Sequence, residues 1–67
     1  MAVAKVSEII CGSSKSFEDA VEGGIKRANK TLNNIQTAWV QDMSVTVKDG
    51  KVDEFRVALK VTFVLSD

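Results

Sequence analysis

The residue types that could do chemistry in this chain are few and poorly supported. Cys11 is the only cysteine, and no histidine occurs in the 67 residues to draw a proton from its thiol. A sulfur nucleophile acts as its thiolate and needs such a neighbour, so Cys11 reads as a structural thiol at a turn. A tetrahedral zinc site is excluded on the same count, because one sulfur and no imidazole cannot complete it. Gly23-Gly24-Ile25-Lys26-Arg27 has the glycines and cations of a phosphate loop. It lacks the Gly-x-x-x-x-Gly-Lys-Ser/Thr spacing, however, and sits inside a helical pattern. Lys26, Arg27 and Lys30 form a small basic cluster that reads as a solvated helix face balancing Glu18, Asp19 and Glu22. Catalysis finds no foothold, and the chain reads as a non-enzyme.

The elements that carry these residues belong to one small domain spanning residues 1–67, near the lower size at which a single core offsets chain ordering. A lone cysteine closes no internal disulfide and zinc is excluded, which leaves oligomerisation as the means of support. Nine basic and nine acidic residues cancel, so no summed field favours nucleic acid or an anionic membrane as partner. No leader pattern opens the sequence and no stretch approaches about 18 apolar residues, so a soluble cytoplasmic protein is expected.

Ala2 to Ile10, with Val3, Val6, Ile9 and Ile10, reads as a first strand that Cys11-Gly12-Ser13-Ser14 breaks. Ser16 is a good N-cap, and Asp19 three positions on can complete a variant of the capping box. Phe17, Ala20, Val21, Gly24, Ile25, Ala28 and Leu32 then lay an apolar stripe along a helix predicted from about Phe17 to Asn33. Its acidic residues lie near the positive end of the dipole and its basic ones near the negative end. Gly23 and Gly24 oppose the helix by roughly 1 kcal/mol each and read as a close-approach surface.

The run Ile35 to Val47 alternates, placing Ile35, Thr37, Trp39, Gln41, Met43, Val45 and Val47 on one face. Asp49-Gly50 is a hairpin dipeptide, since both residues tolerate positive φ. The return strand puts Phe55, Val57, Leu59, Val61, Phe63 and Leu65 on its helix-facing side. Fourteen strand residues reach about 46 Å, whereas a seventeen-residue helix is about 25 Å long. The strands outrun their cover, and an overhang carrying Met43, Val45 and Val47 would mark an interface. The expected fold is α+β, in the order β-α-β-β, with a three-stranded antiparallel or mixed sheet partly wrapped around one helix in a homo-oligomer.

Together these residues resemble the dodecin family, small proteins that form hollow homododecamers and bind flavins non-covalently. The resemblance runs from about Lys5 to Leu65. It rests on the Gly12-Ser13 break, the Ser16-Phe17-Glu18 helix start, Lys26-Arg27-Ala28, Thr31-Leu32 and Asn34-Ile35, and on the closing pattern Phe55-Arg56-Val57 to Lys60-Val61-Thr62-Phe63. It implies a protein that stores or sequesters riboflavin, FMN or FAD between subunits.

Flavin-binding dodecins are similar to one another in a tryptophan on the second strand, which stacks on the isoalloxazine, and a glutamine on the third. Those positions fall here on Thr37, which has no π-face, and on Arg56, a fixed cation. Trp39, two residues on, can serve as a displaced platform, with Gln41 as a substitute amide and Arg56 over the ring or against a phosphate. The plainer alternatives are that Trp39 fills a subunit interface and that Arg56 pairs with Asp42 or Glu54. The resemblance also admits a structural assembly without flavin that binds calcium, coenzyme A or nothing. Asp42, Asp53 and Glu54 could supply oxygens to calcium, although no EF-hand spacing is present.

Overall fold

A computed structural model of the chain describes residues 3–65 as β1 (Val3–Ser13), α1 (Phe17–Ala28), β2 (Ile35–Lys48) and β3 (Lys51–Leu65). The expected element order holds, and the sheet is antiparallel throughout, with β3 between β1 and β2. β3 takes the centre because its alternation is the most apolar: Val57, Leu59, Val61 and Phe63 are buried in succession on one face.

Two boundaries differ from the sequence expectation. β1 does not stop at Ile10, because Cys11, Gly12 and Ser13 stay in the ladder opposite Val57, Arg56 and Phe55. Ala2, placed in the first strand by its sequence, lies outside the described residues. Gly12 fits the strand because the Glu54 carboxylate lies over it, 2.8 Å from where a Cβ would stand. The helix ends at Ala28, not near Asn33. Beyond it the N–H groups of Lys30 and Thr31 bond to the carbonyls of Arg27 and Ala28, three residues back, in a tightened last turn. Leu32 nevertheless packs against the core, so the apolar periodicity continues past the point where the helix stops.

The helix start is close to that expected. Ser16 Oγ accepts from the Asp19 N–H at 2.9 Å, which satisfies one orphan donor of the first turn. Asp19 does not reach back to the cap; its Oδ2 accepts from Ser13 Oγ at 2.6 Å, while Ser13 Oγ also accepts from the Lys15 N–H. The β1–α1 turn is therefore tied from both sides.

The helix packs on β1 and β3. Cys11, Ala20, Val57, Leu59 and Val61 form the buried centre, with Ile9, Phe17, Val21, Ile25, Leu32, Ile35 and Ala38 around it. Phe17 meets Phe55 edge-on at 5.1 Å between ring centroids. The two helix glycines behave differently. Gly24 lies against Cys11, with no room for a Cβ, whereas Gly23 faces open space and has no part in a close approach.

Asp49 and Gly50 turn the hairpin with φ of 52° and 75°, as a two-residue primed turn requires. The unbroken alternation expected for β2 is interrupted by bulges. Gln36 and Gln41 are extra residues on β2, and Asp53 is extra on β3. Each bulge moves the following side chains to the other face. Ile35, Ala38, Val40, Met43 and Val45 consequently lie opposite Phe63, Val61, Leu59, Val57 and Phe55 on the helix side. Thr37 and Trp39 lie on the outer side with Thr62 and Lys60.

The described chain extends 52 Å by 19 Å by 14 Å. A twelve-residue helix is only about 18 Å long, so the outer half of the hairpin has no cover. Val40, Met43, Val45, Val47 and Val52 are exposed there, Met43 by 51%. Among the described residues no helix is long and apolar enough to cross a membrane.

Candidate functional site

The face of the sheet opposite the helix is built in rows, because residues directly across an antiparallel ladder share a side. One row runs Val6, Thr62, Thr37; the next Glu8, Lys60, Trp39; the next Ile10, Ala58, Asp42; and the last Gly12, Arg56, Ser44. Three large apolar side chains stand out on this face, with Val6, Ile10 and Trp39 exposed by 54%, 78% and 65%. Large apolar side chains exposed on one face of so short a chain make that face a candidate binding or assembly surface.

The Trp39 row is the chemically distinctive one. Lys60 Nζ lies 5.7 Å from the Trp39 ring centroid and 3.7 Å from Glu8 Oε1. A cation over an exposed indole contributes about 0.5–1 kcal/mol. The Glu8 pair adds little, being long and open to water. Among the described residues, Lys60 is thus the cation recorded over the tryptophan.

Sequence reasoning assigned no part to Lys60, although a signal for it exists. Pairing the hairpin back from Asp49-Gly50 without slips puts Lys60 opposite Trp39. The bulges at Asp53 and Gln41, one on each strand, cancel before that row.

The other candidate residues spread along the same hairpin. Thr37 is one row from Trp39 on the same face. Gln41 is the unpaired bulge residue between Val40 and Asp42. Arg56 lies four residues along β3 from Lys60, roughly 13 Å at strand spacing. Its Nε donates to Glu54 Oε1 at 2.6 Å, the Glu54 pairing considered from sequence.

Asp42 Oδ1 accepts from the Met43 N–H at 2.9 Å. Asp53 is a bulge residue, and Glu54 is engaged by Arg56. Among the described residues, no three acidic or thiol groups come together to hold a metal ion. Burial pushes the Cys11 thiol above its ordinary pKa. The thiol form is thereby favoured in the fold, a contribution fully present at neutral pH and lost as alkali ionises the cysteine of the unfolded chain. An open groove of about 450 Å³ lies between β1 and α1, with Ile9, Cys11, Gly24, Arg27, Thr31 and Leu32 among its walls.

A helix laid across two strands of an antiparallel three-stranded sheet, with an exposed tryptophan on the far face, defines a small α+β protein with a ready surface for contact. The chain belongs to the dodecin family, whose pattern matches residues 3–66. It is 31% identical over 65 residues to a dodecin of Thermus thermophilus, covering 97% of this chain and 94% of that one. Among solved structures, the dodecin from Streptomyces davaonensis superposes with a TM-score of 0.95 at 29% identity, covering 98% of this chain and 97% of that one. The calcium dodecin of Mycobacterium tuberculosis, described as a calcium-chelating antigen with a novel calcium-binding site, gives 0.84 at 32% identity, covering 96% and 91%.

Proposed function

We propose that this chain is a non-enzymatic, cytoplasmic flavin-binding protein that assembles as a hollow homododecamer and stores or sequesters riboflavin, FMN or FAD at subunit interfaces. The observation that carries the reading is Trp39, an indole held on a paired strand and 65% exposed, on the same sheet face as Val6 and Ile10. A flat aromatic ligand suits such a platform, since offset stacking adds about 0.5–1.5 kcal/mol to the area it buries. Thr37 supplies no second ring, so binding is weaker than in relatives with a tryptophan at that position. The uncovered Val40, Met43 and Val45 support assembly, because a monomer leaves them in water. A bound flavin supplies a photoactive ring, and closure between subunits excludes solvent from it.

Titration of riboflavin and FMN against micromolar protein tests this: flavin emission is expected to fall as the ring stacks beside Trp39. In Thr37→Trp, affinity is expected to rise by about fivefold to tenfold, the equivalent of one added stack. Unchanged emission in the native protein overturns the flavin reading, and no gain in Thr37→Trp means that the stacking position lies elsewhere.

A second reading, an assembly that holds calcium or coenzyme A and no flavin, is favoured by Thr37 and by the likeness to a calcium dodecin. Asp42, Asp53 and Glu54 do not converge within one chain, so calcium binding needs carboxylates from neighbouring copies.

A further inference from the structure

We propose that Lys60 is a specificity-determining residue of the flavin face: it caps Trp39 in the free protein and is handed to the ligand's phosphate when a flavin takes the ring. The inference rests on the flavin reading above and selects, within it, phosphate-bearing flavins over riboflavin.

A ligand that stacks on the Lys60 side of the indole must displace the ammonium, which lies 5.7 Å from the ring centroid. A neutral flavin offers only uncharged acceptors, its ring carbonyls and ribityl hydroxyls, in exchange for the lost cation–π contact. A phosphate offers a charged acceptor, and the flexible lysine stem can follow it with three rotatable donors.

Lys60 is also free to be handed over. Its carboxylate neighbour, Glu8, lies 3.7 Å away, well beyond the 2.7–2.9 Å of a committed charge-assisted hydrogen bond. The other charges of this face are engaged among themselves or with the backbone: Arg56 Nε is 2.6 Å from Glu54, and Asp42 accepts from the Met43 N–H. Glu8 is the counterweight, because its negative charge opposes a phosphate entering the same row.

Riboflavin and FMN differ only by the phosphate, which makes them the probes. In the native protein FMN is expected to bind about tenfold more tightly than riboflavin at low salt, with the ratio shrinking as ionic strength rises. In Lys60→Gln the two are expected to bind within about twofold of each other, with riboflavin no weaker than before, and Lys60→Arg should keep the preference. Glu8→Gln should widen it. Equal affinities in the native protein, or a preference that survives Lys60→Gln, overturns this inference while leaving flavin binding in place. If neither flavin binds, the flavin reading fails and this one falls with it.

Discussion

Leu59→Ala is expected to cost about 3 kcal/mol of stability, toward the middle of the range for truncating a fully buried leucine. Leu59 is 1% exposed at the centre of β3, between Ile9 of β1 and Val40 of β2, and faces the helix with Val57 and Val61. The loss combines the transfer free energy of the removed carbons with the cavity they leave. The surroundings cannot collapse readily onto that cavity, because Leu59 sits in the strand paired on both edges. A small domain has only about 5 kcal/mol or a little more in reserve, so the variant should melt far below the native protein. Thermal unfolding followed by circular dichroism at matched protein concentration checks this, since assembly makes the melting temperature concentration-dependent. A shift of only a few degrees would mean that the sheet core contributes less than its burial implies.

Gly24→Ala is expected to destabilise by about 2 kcal/mol, although alanine is the better helix former by roughly 1 kcal/mol. The added methyl would overlap Cys11 Sγ and stand 2.9 Å from Cys11 Cβ, so helix and strand must move apart. Gly23→Ala is the internal control. A Cβ there meets nothing within 4 Å, and the helix-propensity gain of roughly 0.5–1 kcal/mol should appear undiminished. Adjacent glycines in one helix thus carry opposite signs, which urea melts of the two variants can resolve. Stabilisation by both substitutions would contradict the close packing of Gly24 on Cys11.

The sequence revealed different parts of this fold with different clarity, for identifiable reasons. β3 was legible because Phe55 to Phe63 alternates past no bulge and its large apolar members all face one way. The helix start was legible through Ser16, whose capping role is local. The helix end was not, since Leu32 returns to the core from a tightened turn and mimics one more helical period. β2 was misread at its faces, because strict alternation assumes one residue per ladder step and Gln36 and Gln41 break that assumption. Trp39 could be singled out by type alone. Its partner Lys60 required the register, which Asp49-Gly50 sets and which two cancelling bulges return to its starting alignment.

Sedimentation velocity of the native protein with excess FMN, followed both in the protein band and in the flavin's visible band, shows whether assembly and flavin travel together. A flavin-binding assembly predicts one boundary near the mass of a homododecamer that carries visible absorbance with it. A boundary at the 7.3 kDa of a single chain, or an assembled boundary that leaves all of the colour behind, would contradict it.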